Sequence, residues 1–377
     1  MNSNSISKDG HTENNDRLAT LSWTERLAYG GGDAGFNFYW ALIGSYLAAF
    51  YTDTLGLSAG VAAAVIFWAK IVDAFTDPIM GAVADRTNTR WGKFRPYLVW
   101  GSIPMAISAV LAFTTPDLSI EMKSVWAFVT YCMMMLCYTI LSTPYSSLSG
   151  VITGNIKERN LLVSIRFMFA FGASALIGKF TPDLIALLGE SDAELGWQLM
   201  AAVYGGLASL IFFLTFWFTK ERVTPPKQQK TNPFQDIKEL LHNRAWLVLF
   251  FLALIIMITI TMRGGSSYYY FKYYVAREDL IGDYLGIQFI AYFAGCFMTP
   301  FLMRMFDKRK LLIGLMLIVS VLSLAFFFVP KDMIWLMFTL NILISLALGP
   351  KSPVTWTMYA DAADFNEWKN GNRATAM

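Results

Sequence analysis

Asp73 and Asp77 lie one helical turn apart inside the strongly apolar run Ala59–Ala84, and Lys70 sits one turn before them. A charge at bilayer depth is costly, so a cluster of three reads by default as functional. Carboxylates at i and i+4 leave one face of a helix about 6 Å apart along its axis. At that spacing two carboxylates can share a small cation or a proton. The plainer alternative is a Lys70–Asp73 pair that neutralises itself inside a bundle, but it gives Asp77 no role.

The elements that must hold this cluster are helices in a membrane. Of 377 residues, 55% are hydrophobic, 16% aromatic and only 15% charged, and the mean hydropathy is +0.45. Soluble domains carry about 25% charged residues, so the chain is a polytopic membrane protein, all α. Apolar runs of spanning length occur at 26–51, 57–84, 96–115, 122–150, 161–188, 197–219, 245–275, 284–305, 311–329 and 334–360, which predicts ten helices. Residues 1–22 are polar, without an apolar stretch of signal-peptide type, and are expected to form a cytoplasmic tail. With that orientation, the basic residues fall on the inner side, except Lys123, Lys179, Lys272, Arg277 and Lys331 on the outer side and Lys70, Arg166, Arg263 and Lys351 within the membrane. Cys132, Cys137 and Cys296 all lie in apolar runs, so disulfides are not expected. His11 and His242 lie in polar segments, which excludes histidine-based metal or proton chemistry within the membrane.

The longest polar break, 220–244, contains Pro225, Pro226 and Pro233 and follows the sixth helix. Six helices before a central cytoplasmic loop is the layout of the major facilitator architecture, two pseudo-symmetric halves around a midplane cavity. The halves are expected at 23–219 and 245–377. The second then has four helices, and the architecture calls for two more. Between helices 2 and 3, Gly81 is followed by Asp85-Arg86 and by Arg90, Gly92, Lys93 and Arg95. This order matches the superfamily's signature at that loop, where basic side chains close an inner gate. A solvated positive-inside loop would explain the charges but not the ordered Gly and Asp. Arg304, Asp307, Lys308 and Arg309 look like a degraded copy in the second half. Asp361, Asp364 and Glu367, at the end of helix 10, are the expected gate partners of Arg90, Lys93 or Arg95; a solvated helix end is the plainer alternative.

A longer set of motifs is specific to one family. Tyr29-Gly-Gly-Gly-Asp33-Ala-Gly-Phe-Asn37-Phe, Tyr51-Thr-Asp53, Asp73-Ala-Phe-Thr76-Asp77-Pro-Ile-Met-Gly81, Arg90-Trp-Gly-Lys93-Phe-Arg95-Pro and Ala360-Asp361-Ala-Ala-Asp364-Phe-Asn-Glu367-Trp-Lys369 span nearly the whole chain. Together they resemble the glycoside–pentoside–hexuronide:cation symporter family, which includes melibiose permease and glucuronide and xyloside carriers. The resemblance implies secondary active symport of a glycoside or oligosaccharide with Na⁺ or H⁺ by alternating access, in the bacterial inner membrane. No cofactor beyond the coupling ion and no nucleic-acid partner is expected; the partners are a small saccharide and the lipid bilayer, and the carrier is expected to be a monomer.

By the same resemblance, Asp73 and Asp77 match the helix-2 carboxylates of the cation site, where Na⁺ could bind, and Thr139 matches the helix-4 hydroxyl beside them. Thr76 falls where an Asn is common, which leaves Na⁺ and H⁺ both open. Arg166 matches the helix-5 arginine lining the sugar cavity, with Tyr145 in the helix-4 motif nearby. Asn37 and Ser142 stand where melibiose permease has carboxylates for galactoside hydroxyls, and Ser146 stands where it has a stacking Trp. Simple galactosides are therefore not expected.

Other features divide between functional and plain readings. Gly30, Gly32 and Gly35 fit Gly-x-Gly-x-x-Gly, but no strand precedes them, so close packing is the better reading. Asp33 could serve the cavity or the structure. Tyr268–Tyr274 form either an interfacial aromatic belt or, through Tyr269 and Tyr270, a stacking surface for a sugar ring. Arg263 and Lys351 need partners at their depth, either neighbouring side chains or an acidic sugar, and the loss of two carboxylates slightly favours acidic sugars over neutral xylosides. Pro350 and Pro353 flank Lys351 and predict a local break in the helix. Gly-x-Ser-x-Gly, His-Glu-x-x-His and Gly-rich nucleotide motifs are all absent, so the chain does not read as an enzyme. A non-transporting sugar sensor or an inactive shortened carrier stays as the alternative.

Overall fold

The structure is a computed structural model and describes residues 20–223, 244–355 and 358. The chain divides into two compact units, Met1–Pro226 and Lys227–Met377.

In the first unit, α1 spans Trp23–Leu42 and continues through π-helical turns at Ile43–Leu47 and Phe50–Thr54. Then follow α2 (Ala59–Arg86), α3 (Pro96–Ala112), α4 (Ile120–Ile152), α5 (Ile156–Gly189) and α6 (Ala193–Phe218). The starts are set by side chains that accept from otherwise orphaned N–H groups. Ser22 caps α1, Ser58 caps α2, Ser119 caps α4 and Asp192 caps α6. Pro96 opens α3, where its missing N–H is not needed. α1 packs on α5 and α6, α2 on α4, and α3 on both α4 and α6. Glycines permit the α1 contacts: a Cβ on Gly30 would meet Ile165 at 2.5 Å, and one on Gly32 would meet the Tyr145 ring at 2.5 Å.

In the second unit, α7 (Arg244–Tyr269) continues through π-helical turns at Tyr270–Val275, and a short 3₁₀ turn leads to α8 (Ile281–Met305). α9 (Lys308–Phe327) is capped by Asp307, and α10 covers Ile334–Leu348. After a turn at Gly349-Pro350 the chain is helical again over 351–355. α10 packs on α8 and α9, as α4 packs on α2 and α3 in the first unit. α8 and α10 touch backbone to backbone, since a Cβ on Gly349 would lie 2.5 Å from the Tyr292 carbonyl and 2.7 Å from Gly295 Cα.

The ten helices fall where the apolar runs place them. Eight, counted among the described residues, are long and apolar enough to cross a membrane. α3 is shorter at 17 residues, and α1 carries Glu25, Arg26 and Asp33 within its 20 residues. The break at Gly349-Pro350 lies where Pro350 predicts it.

Candidate cation and sugar site

α2 and α4 bring one polar cluster together. Thr139 Oγ1 lies 3.0 Å from Asp73 Oδ1 and 2.8 Å from Asp77 Oδ1. A threonine hydroxyl has one proton, so it can donate to only one of these oxygens at a time. With both carboxylates ionised, the other short oxygen–oxygen contact lacks a hydrogen, which a bound cation or one added proton would remedy. Lys70 Nζ is 3.7 Å from Asp73 Oδ2, 3.3 Å from Met135 Sδ and 4.6 Å from the centre of the Trp40 ring. The lysine thus balances one of the two negative charges and leaves the cluster one short of neutral. The Thr76 hydroxyl donates back to the Asp73 carbonyl at 2.9 Å. Tyr131 and Met135 continue the α4 stripe from Thr139 at four-residue intervals, and the buried Tyr131 hydroxyl has no hydrogen-bond partner among the described residues. Among the described residues, no group of three His, Cys, Asp or Glu is placed to hold a metal ion.

α1 and α5 build a second cluster. Arg166 donates to Asp33 through Nε at 2.6 Å and Nη2 at 3.3 Å, and through Nη1 to the Tyr29 hydroxyl at 3.3 Å. Its guanidinium lies 4.8 Å from the Tyr145 ring centre. Tyr145 is itself buried, stacked 5.0 Å from Tyr29 and hydrogen-bonded to the Tyr29 carbonyl. One turn along α1, Asn37 donates to the Asp33 carbonyl at 2.8 Å and accepts from Ser174 at 3.4 Å. Ser142 is half-buried and Ser146 exposed.

The second unit holds the other expected residues. Arg263 Nη2 donates to Asn341 Oδ1, and Asn341, fully buried, donates to the Tyr284 carbonyl at 3.0 Å. Arg263, Tyr270 and Tyr284 line a cavity of about 230 Å³ with Ser266, Ser267 and Ser323. Tyr269 stacks on Tyr273 instead, at 6.2 Å. Lys351 is 4% exposed, with Cys296 beside it and no ion pair to it among the described residues.

The expected gate splits. Asp361, Asp364 and Glu367 lie outside the described residues, as does the side chain of Asp85. Arg86 and Arg90 are exposed, Arg90 lies over Trp91 at 4.9 Å, and Lys93 Nζ lies over Phe94 at 5.1 Å. Arg95 donates to the Phe216 carbonyl at 2.6 Å. Burial holds its guanidinium below the ordinary arginine range, against the upward pull of Glu221 and Glu25.

Several ion-pair residues carry no sequence signal of their own. Glu25 accepts from Arg222 at 2.7 and 2.9 Å, and Arg26 donates to Glu158 at 2.9 and 3.0 Å. In the sequence, Arg26 and Arg222 count only as inner-side basic residues. The acids that bind them lie more than a hundred residues away.

Comparison with known proteins places this geometry in context. A family profile described as MFS/sugar transport protein matches residues 28–377. The isoprimeverose transporter of Lactiplantibacillus pentosus is 35% identical over 362 residues, covering 95% of this chain and 75% of that protein. The inner membrane symporter YicJ of Escherichia coli is 33% identical over 357 residues, covering 95% and 77%. The solved structure of the E. coli xylose transporter XylE, partially occluded and inward open, aligns with a TM-score of 0.64 over 92% of this chain and 85% of that one, at 15% identity, which speaks for the fold alone.

Proposed function

The chain belongs to the MFS/sugar transport protein family, and from that membership we propose that it symports an uncharged glycoside with a cation bound at Asp73 and Asp77. Secondary active, cation-coupled sugar transport is its activity; it is a multi-pass membrane protein and not an enzyme. The observation that carries the cation site is the Thr139 hydroxyl, held between two carboxylates with one proton for two acceptors. Lys70 leaves one negative charge over, which suits a monovalent ion, Na⁺ or H⁺.

For the sugar, the Asp33–Arg166 pair supports an uncharged substrate. The Arg166 guanidinium is already met by a carboxylate, so it adds no uncompensated positive charge to the cavity. What Asn37, Ser174, Ser142 and the paired charges offer is a mix of donors and acceptors, which matches neutral hydroxyls. The 35%-identical relative named for isoprimeverose, a sugar without an ionisable group, agrees with that reading. The N-terminus is assigned to the cytoplasmic side of a bacterial inner membrane, with transport halves at 23–219 and 245–377.

The test is uptake into membrane vesicles under an imposed Na⁺ or pH gradient, with competition by methyl xyloside, isoprimeverose and methyl glucuronide. The neutral sugars should displace labelled substrate. Displacement by methyl glucuronide alone would return the site to acidic sugars, and Arg263 and Lys351 would then be its first candidates. Absence of gradient-driven uptake for every saccharide would overturn the transport reading.

A further inference from the structure

Residues 220–223, just past the Thr219 cap of α6, cross the basic end of the first unit and bind three other elements. The Lys220 N–H donates to Glu25 Oε1 at 3.0 Å, and Arg222 grips the same carboxylate, which ties the strap to α1. The N–H groups of Arg222 and Val223 both donate to the Val151 carbonyl near the end of α4, at 2.7 and 2.9 Å. Glu221 points the other way. Its Oε2 accepts from the Lys93 N–H at 2.8 Å, and its Oε1 accepts from Phe94 and Arg95 at 2.8 and 2.9 Å.

Three successive backbone donors just before α3 therefore converge on one carboxylate. A carboxylate that accepts several backbone N–H groups makes charge-assisted hydrogen bonds, and its place next to the start of a helix is favoured by the helix dipole as well. Gly92 makes the approach possible in two ways. Its φ of +110° is a conformation that other residues rarely adopt. A Cβ there would also lie 2.5 Å from Glu221 Oε1. Arg95 adds a second tie to α6 through the Phe216 carbonyl and ring. The loop held this way carries Arg90 and Lys93.

We propose that Glu221 is a positioning residue for transport: it fastens the helix 2–3 loop to the strap after α6, so that the basic loop moves with the first half as one piece. Without it, the sites for sugar and cation stay intact, but the loop no longer follows the helices, and the rate of conformational exchange falls.

The experiment compares Glu221→Ala, Glu221→Gln, Gly92→Ala and the double variant Gly92→Ala/Glu221→Ala in proteoliposomes. Three readouts are taken: initial uptake rate, equilibrium sugar binding, and hydrogen–deuterium exchange of the peptide containing residues 93–95. Glu221→Ala should slow uptake roughly tenfold and speed exchange at 93–95 by a similar factor, with sugar binding changed by less than about twofold. Gly92→Ala should reproduce this from the opposite side of the contact, and the double variant should be no worse than the more severe single one, because both remove the same interaction. Glu221→Gln, which keeps one acceptor oxygen, should lie between; if Glu221→Ala does not reach the membrane, the Gln variant carries the same comparison. Additive losses, parental uptake rates, or sugar binding that falls in step with the rate would each overturn the proposal. The exchange measurement needs no sugar, so failure here is distinguishable from failure to find a substrate.

Discussion

Arg166 and Asp33 join α5 to α1 through two contacts, 2.6 Å at one carboxylate oxygen and 3.3 Å at the other. The side chains keep only 21% and 17% of their exposure. Neither charge is therefore free, and each is the other's main compensation in a poorly solvated place.

Removing one partner leaves the other stranded. Arg166→Gln or Asp33→Asn should each cost about 2–4 kcal/mol of stability, near the lower end for buried pairs because some exposure remains. The double variant should recover a good part of that loss. Thermal unfolding of the purified carrier checks this; equal and additive losses would mean that the pair is incidental.

Asp73→Asn and Asp77→Asn should each abolish gradient-driven accumulation. Coupling between cation and sugar is reciprocal, so sugar affinity should also weaken, by about 1–3 kcal/mol. Uptake with and without an imposed cation gradient, alongside equilibrium sugar binding, measures both. Unchanged accumulation in the two variants would remove the proposed cation site.

Lys70 Nζ lies 3.7 Å from Asp73 Oδ2, so on the proposed reading it competes with the coupling cation for that carboxylate. Lys70→Met removes that competitor and should tighten cation binding by about 1–3 kcal/mol, less than the ~4 kcal/mol of two charges about 4 Å apart at an effective dielectric near 20 because Lys70 is partly exposed to solvent. Accumulation should fall all the same, because a cation held too firmly is released slowly. Titration of sugar binding against Na⁺ and against pH tests the sign: weaker cation dependence in Lys70→Met would show that the lysine builds the site and does not compete for it.

Gly349 and Gly314 offer a matched pair in the second unit. A Cβ on Gly349 would meet the Tyr292 carbonyl at 2.5 Å, whereas one on Gly314 would meet nothing within 4 Å. Gly349→Ala should destabilise by about 1–3 kcal/mol. Gly314→Ala, inside α9, should be neutral or stabilise by up to about 1 kcal/mol. Melting temperatures in detergent measure the contrast, and equal shifts would contradict the backbone contact between α8 and α10.

The helices were legible in the sequence because hydrophobicity is a local, repetitive signal. Asp73 and Asp77 share a face by their spacing alone, and Pro350 announces the break before Lys351. Thr139 is reached only through the family resemblance, since its distance from Asp73 along the chain carries no pattern. The partners of Arg166, Arg26 and Arg222 were not legible at all. Each is a carboxylate more than a hundred residues away, and an ion pair between distant helices imposes no periodicity on either one. The sequence places Arg166 at the sugar cavity only through the family resemblance and gives no sign that Asp33 meets its charge.

The charges on α1 also bear on how the chain is made. α1 carries Glu25, Arg26 and Asp33, and it is not among the helices apolar enough to cross a membrane by composition. Asp33 waits for Arg166, made 133 residues later. At typical synthesis rates that interval is on the order of ten seconds. For that time the first helix holds an unmatched carboxylate while its neutralising arginine is still untranslated. The cost of placing that carboxylate at membrane depth is therefore offset only once α5 has joined α1.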